Sequence, residues 1–208
     1  MIIAVDGPAA SGKGTIAKAL ARHYGLPHLD TGLLYRAVGV SVMHANGDPS
    51  DAADALHACD FAPSLLDDPA LKTEAAGKAA SLVSGHPQVR EALIQRQRDF
   101  ATQPGGAVLD GRDIGTVIAP DADAKLFVTA SSEVRAQRRF REMESMGQGI
   151  SFESILADIL ARDERDSGRA AAPLRQAVDA ALLDTSDLGI EPAVQRAIAL
   201  VEAQAADR

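Results

Sequence analysis

Residues Gly7-Pro8-Ala9-Ala10-Ser11-Gly12-Lys13-Gly14-Thr15 place two glycines five apart, with a lysine directly after the second. Glycines let successive backbone N–H groups converge at the start of a helix, where an anion is favoured. A lysine at that point can reach the β- and γ-phosphates of a nucleotide as a point charge. An apolar run precedes the loop and a helical pattern follows it, the context that gives such a loop weight. A glycine turn that binds nothing is the competing reading. In the commoner form of this loop a hydroxyl follows the lysine directly; here Gly14 intervenes and Thr15 comes one place later, so a hydroxyl bound directly to Mg²⁺ is not assured.

Four further constellations suit phosphate and base recognition. Leu29 to Arg36 puts a hydroxyl, Thr31, and a guanidinium, Arg36, just past a short strand. Asp110-Gly111-Arg112-Asp113-Ile114-Gly115-Thr116 repeats the theme at another strand end. Arg36 and Arg112 could converge on one phosphate, leaving Asp113 to accept hydrogen bonds from a base. A surface arginine and a solvated turn are the blander accounts. Arg162, Asp166 and Arg169 fall at i, i+4, i+7, and Arg135, Arg138 and Arg139 at i, i+3, i+4. A surface salt bridge worth ~0.3–0.5 kcal/mol, or a charged stripe paired with Glu142 or Glu144, would give the same spacings.

The elements that must hold these residues alternate. Ile2 to Val5 reads as a strand buried on both faces, Lys13 to Tyr24 as a helix stopped by Gly25 and Pro27, and His28 to Asp30 as a second strand. Ala107 to Leu109, Lys125 to Thr129 and Ala181 to Asp184 repeat the strand pattern. Ser131-Ser132-Glu133 and Ser186 to Glu191 supply polar helix starts after the last two. Strand–helix alternation predicts a parallel α/β sheet with ligands at the strands' carboxyl ends. Residues 37–101 break the alternation with helical segments at Leu33 to Asn46, Pro49 to Cys59, Thr73 to Val83 and Pro87 to Ala101, a candidate inserted subdomain. Two charged helices between Arg135 and Arg169, joined by Gly147-Gln148-Gly149, read as a mobile hairpin.

Composition narrows the classes. The chain has 208 residues and a net charge of −8, and its 21 cations are 16 Arg and 5 Lys. An acidic chain repels a phosphate polymer at long range, so a nucleic-acid or polybasic membrane partner is not expected. Eleven of the 16 arginines lie between Arg90 and Arg169, and arginine is favoured where phosphate is held bidentately. The single cysteine, Cys59, can neither close an internal disulfide nor build a zinc cluster, and a cytoplasmic setting is expected. Guanine-reading strings of the type Asn-Lys-x-Asp and the switch string Asp-x-x-Gly do not occur, which disfavours a GTPase.

Asp6 to Thr15, Leu29 to Arg36, Asp110 to Thr116 and Arg165 to Leu174 together resemble the bacterial cytidylate kinase family, over nearly the whole chain. The resemblance implies an α/β fold: a P-loop NTPase-type parallel β-sheet core flanked by helices (residues 1–36 and 102–208), an inserted CMP-binding subdomain (37–101) and a short helical lid (about 138–168). It implies that Gly7 to Thr15 hold ATP, that Ser81, Arg90 and Asp113 contact cytosine, and that Thr31, Arg36 and Arg112 lie near the acceptor phosphate. Arg162 and Asp166 match positions that hold the ribose hydroxyls, Arg169 one that reaches the phosphates, and Arg138, with Arg135 and Arg139 nearby, a lid arginine over ATP. Ala10 stands where many members have Gly, and Thr31 where some have Ser.

The expected reaction is reversible transfer of the γ-phosphoryl of ATP to CMP or dCMP. With a second phosphate pKa near ~6 the attacking oxygen is already unprotonated at neutral pH, so no general base is needed. Lys13, Arg138 and Arg169 would follow charge onto the transferring group, and Asp110 would hold the hydration shell of a Mg²⁺ that arrives with ATP; no direct protein ligand to the metal is expected. The chain is expected to act as a monomer. A broader nucleotide kinase (UMP and CMP), a P-loop kinase of a small metabolite and a non-catalytic ATP-binding module are the alternatives.

Overall fold

The computed structural model describes residues 1–145, 147 and 149–206. Of the expected Gly147-Gln148-Gly149 hinge, Gln148 lies outside the described residues. The chain forms two compact units, Met1–Leu29 with Ala101–Arg208, and Asp30–Phe100.

The first unit is built on strands β1 (Ile2–Asp6), β2 (His28–Asp30), β3 (Ala107–Gly111), β4 (Ala124–Thr129) and β5 (Ala181–Asp184), in the order β2-β3-β1-β4-β5. β1 pairs in parallel with β3, Ile3 opposite Val108, and with β4, Ile3 opposite Ala124; β4 pairs in parallel with β5. The chain leaves β1 toward β2 and β3 on one side and toward β4 and β5 on the other. The carboxyl end of β1, where the glycine loop starts, is therefore the topological switch point. The pairing of β4 with β5 begins at Leu126. One residue earlier, Lys125 donates its N–H to Gln204 Oε1 (2.9 Å) and accepts from Gln204 Nε2 at its carbonyl (3.0 Å).

Helix α1 (Lys13–Tyr24) presents Ile16, Ala17, Leu20 and Ala21 to the sheet and stops at Gly25, whose φ of 65° suits glycine. Helix α8 (Ile190–Ala206) presents Ala193, Val194, Ala197 and Val201. Both faces share one core with Ile3, Val5, Val108, Leu126, Val128 and Leu183, each large side chain contributing ~1.5–3 kcal/mol by burial. Of Ser186 to Glu191, only Ile190 and Glu191 belong to α8. The N–H and hydroxyl of Ser186 both donate to Asp184 Oδ1 (2.8 and 2.7 Å), closing a turn, so the helix starts only at Ile190.

Helices α6 (Ser132–Ser145) and α7 (Phe152–Ser167) enclose Ala136, Met143, Ile155 and Ile159, with Phe140 and Phe152 edge-to-face at 6.4 Å between centroids. Ser131 and Ser151 accept the N–H groups of Val134 and Ser154 and cap the two starts.

The second unit contains helices α2 (Thr31–His44), α3 (Ala52–His57), α4 (Glu74–Val83) and α5 (Pro87–Ala101), with 3₁₀ turns at Pro63–Asp67 and Pro69–Lys72. α2 begins two residues before the expected Leu33 because the Asp30 carboxylate accepts the Gly32 N–H at 2.9 Å. α3 is shorter than the expected Pro49 to Cys59: Asp51 accepts from Ala53 and Asp54 and fixes its start there. Where α2 meets α4, a Cβ on Gly39 would stand 2.7 Å from the Cβ of Ala79, so only glycine permits that approach. No helix among the described residues is long and apolar enough to cross a membrane.

Candidate active site

The glycine loop leaves β1 through Gly7, where a Cβ would lie 2.0 Å from the Val128 carbonyl oxygen, and enters α1 through Gly12 at φ 88°. Lys13 is the first residue of α1, where the unbonded N–H groups of the first turn collect. Ser11 is fully buried, and its hydroxyl has no hydrogen-bond partner among the described residues. Thr15 is exposed on the first turn. Ala10, which stands where glycine is common in the resembling family, adopts φ 59°. An L-residue in that region costs ~1–2 kcal/mol. The Ala10 methyl packs against the α6–α7 cluster.

Three buried aspartates, Asp6, Asp110 and Asp113, lie at or just past strand ends. Asp6 closes β1 and accepts the N–H groups of Ile114 and Gly115, both at 2.8 Å. Burial pushes its carboxyl up to about 7 against those two hydrogen bonds, which favour the charged form; Asp113 raises it further and Lys13 opposes. Asp113 itself is buried, and its carbonyl accepts from Val117 (2.8 Å) and Ile118 (3.2 Å) in a single π-helical turn, Ile114–Ile118. Asp110, on β3, meets His28 Nε2 through Oδ1 at 2.7 Å. Its Oδ2 stands 3.7 Å from where a Cβ on Gly14 would be. A methyl group at position 14 would touch the carboxylate, and glycine leaves that space. A carboxylate beside the first turn of the loop helix fits a hydrated Mg²⁺ brought in by ATP. Among the described residues no cluster of three or more His, Cys, Asp or Glu could hold a metal by itself.

Asp166, wholly buried on α7, gathers the arginines. Arg112 Nε donates to Oδ2 at 2.8 Å, Arg169 donates to Oδ1, and Arg162 Nε stands 3.9 Å from Oδ2. Burial alone would raise this carboxyl. The charges of Arg112, Arg169 and Arg162, with the Arg112 hydrogen bond, together bring it below its ordinary value. α7 ends at Ser167, so Arg169 reaches Asp166 from beyond the Gly168 cap and not from the helix face. Three guanidiniums around one carboxylate leave a net positive cluster suited to phosphate.

The three arginines of α6 divide. Arg138 donates to the Ser11 carbonyl (3.3 Å) and to the hydroxyl and carbonyl of Thr185 (3.0 and 2.6 Å), so it lies on the glycine loop. Burial lowers its pKa and Asp184 raises it. Arg135 is buried in a bidentate pair with Asp163 at 3.0 and 2.5 Å. Arg139 pairs with Glu142 at 2.8 Å on the surface, which is what the charged-stripe reading anticipated.

In the second unit Thr31 opens α2 and is buried. Arg36 donates to the carbonyls of Leu71 (2.7 Å) and Thr73 (3.2 Å). Arg90, on α5, donates to the Ser84 carbonyl at 3.3 Å and lies 5.4 Å from the Tyr35 ring centroid; the Ser84 hydroxyl in turn donates to the carbonyl of buried Ser81. Of the residues expected to meet the acceptor, Ser81 and Arg90 thus share one group with Ser84 and Tyr35, and Arg36 lies beside the 3₁₀ turn.

Sequence reasoning missed Asp6, His28, Asp163 and Thr185 as site residues. Asp6 and Thr185 could have been found as polar residues at or just past the ends of buried strands. His28 and Asp163 act on residues 82 and 28 positions away, and nothing local in the sequence points there.

The chain matches the family model described as cytidylate kinase over residues 3–203. It is 60% identical over 209 aligned positions to a cytidylate kinase of Rhodopseudomonas palustris strain TIE-1, covering 100% of this chain and 99% of the relative. It is also 60% identical over 209 positions to a cytidylate kinase of Xanthobacter autotrophicus, covering 100% of each. A gluconokinase from Sinorhizobium meliloti shares the fold at a TM-score of 0.54 with 19% identity, over 99% of this chain and 94% of that one. With its glycine loop at the switch point and its arginines gathered on Asp166, the chain belongs to the cytidylate kinase family.

Proposed function

We propose that the chain is a cytidylate kinase that moves the γ-phosphoryl of ATP onto CMP or dCMP. The observation that carries this reading is the pairing of a phosphate loop at the switch point with a net positive Arg112–Asp166–Arg169 cluster, built around the buried Asp166, in a chain of this family. Gly7 to Thr15 hold the ATP phosphates, Lys13 and Arg138 following the charge as it moves. Residues 37–101 form the CMP-binding subdomain within a core of 1–36 and 102–208, and 138–168 form the lid. Ser81, Arg90 and Asp113 read the base. An aspartate suits cytosine because N4 donates a hydrogen bond, whereas uracil presents O4, an acceptor facing an acceptor. Thr31, Arg36 and Arg112 bind the acceptor phosphate, Arg162 and Asp166 the ribose hydroxyls, and Arg169 the phosphates.

Mg²⁺ bound with ATP would lie near Asp110 through its water shell and supply charge neutralisation at the phosphate oxygens. The protein works as a monomer in the cytoplasm. A coupled assay with ATP against CMP, dCMP, UMP, AMP, GMP and shikimate tests the reading. Turnover confined to the cytidine monophosphates is expected. Comparable turnover of UMP would make it a broader pyrimidine kinase, and ATP binding without turnover of any acceptor would make it a binding module.

A further inference from the structure

Three consecutive residues of the phosphate loop are held from the α6–α7 hairpin, each by a different interaction. The Ala9 carbonyl accepts from Arg135 Nη1 at 3.2 Å. The Ala10 methyl, at φ 59°, packs against the hairpin's apolar cluster. The Ser11 carbonyl accepts from Arg138 at 3.3 Å. Arg138 keeps part of its surface exposed; Arg135 is buried. All its described donors are committed inward, Nε to the Ala130 carbonyl (2.9 Å), Nη1 to Ala9 and Asp163, and Nη2 to Asp163.

We infer that Arg135, oriented by Asp163, is a positioning residue that ties the shape of the phosphate loop to the packing of the α6–α7 hairpin. The inference rests on the reading of Gly7 to Thr15 as the ATP site. A loop residue in the left-handed region relaxes unless its surroundings over-determine it. The Ala9 carbonyl immediately before Ala10 is the point at which Arg135 fixes the peptide. Arginine is required there because one planar fork spans two carboxylate oxygens and still presents an N–H to a carbonyl; a lysine ammonium reaches one such partner well, not both. Asp163 lies on α7 and Arg135 on α6, so the pair also closes the hairpin across its two helices. A shift of α7 therefore moves the guanidinium and, through it, the loop.

The alternative role for Arg135, direct contact with ATP phosphates, makes the opposite prediction for its partner. Removing the Asp163 charge would then strengthen nucleotide binding by releasing the guanidinium, whereas a positioning pair loses affinity when either member is changed. The test is calorimetric binding of ADP with Mg²⁺, and separately of CMP, to wild type, Arg135→Lys, Asp163→Asn and the double variant, with Tm measured for each. The expected result is ADP affinity down about tenfold in each single variant, no further loss in the double, and CMP affinity within about twofold of wild type. ADP binding that is unchanged, or tighter in Asp163→Asn, overturns the inference, as does a loss shared equally by ADP and CMP. Should Arg135→Lys fail to fold, Asp163→Asn alone still separates the two roles by the sign of its effect. Failure of the wild type to bind ADP at all would instead remove the ATP reading of the loop.

Discussion

Aspartates do different jobs in the two compact units. In the unit of residues 30–100, Asp30, Asp51 and Asp68 accept N–H groups two or three positions ahead and start helices or turns. In the other unit Asp6, Asp110, Asp163 and Asp166 each bind a group 28 to 109 positions away, Asp166 holding its near neighbour Arg169 as well, and Asp6, Asp110 and Asp166 are buried. The arginines differ too: the contacts described for Arg36 and Arg90 are to carbonyls and a ring, whereas Arg112, Arg135 and Arg169 meet carboxylates. A carbonyl fixes the direction of a guanidinium without cancelling its charge. A buried carboxylate fixes both direction and charge, and it ties folding to protonation.

The contrast is easiest to break in the core. Asp166→Asn leaves Arg112 and Arg169 around a neutral side chain, and a loss of about 3 kcal/mol at neutral pH is expected by urea unfolding. The same variant should lose part of its acid sensitivity. Because the folded carboxyl lies below its ordinary value, it binds fewer protons than the unfolded chain, and its stabilisation disappears as pH falls below about 4 through the lowered value. Asp6 has the opposite sign. Raised to about 7, it holds a proton that the unfolded chain releases near 4, so its contribution falls as pH rises from about 4 to 7 and is flat above. Asp6→Asn should flatten the slope of Tm over that window; an unaltered slope would show that Asp6 stays charged throughout.

In the other unit the effects should be smaller and should bear on binding. Arg36→Ala is expected to raise the acceptor KM about 10- to 100-fold with the ATP KM nearly constant, the scale of one charged hydrogen-bonding group. A change confined to ATP would contradict its assignment to the acceptor. Smallest of all, Asp51→Ala should cost about 1 kcal/mol, the worth of a helix cap, with no change in either KM. A core-like loss there would erase the distinction between the units.

The same contrast explains what could be read in advance. Lys13 to Tyr24, His28 to Asp30 and Ala181 to Asp184 have the extents expected from apolar period and punctuation, because capping and burial patterns are local. The departures are local as well: the start of α2 moved to Asp30's cap, and Ser186 closed a turn on Asp184. Spacing placed Arg162, Asp166 and Arg169 together for a helical reason, yet Arg169 arrives from outside the helix. Spacing also grouped Arg135 with Arg138 and Arg139, and the fold sends the three to a carboxylate on α7, a loop carbonyl and a surface glutamate. Partners at long range depend on which strands become neighbours, and no window along the chain contains that.

The amide of Gln204 is itself a short piece of strand. By offering a donor and an acceptor together to Lys125, it completes the sheet one residue before β5 takes over. An exopeptidase that nibbled α8 back past that position would remove both at once and bare a peptide group of β4, whereas trimming that stopped at Ala205 would leave the sheet intact. The end of α8 therefore sets a sharp boundary in susceptibility to digestion, one residue wide, at a place far along the chain from the glycine loop.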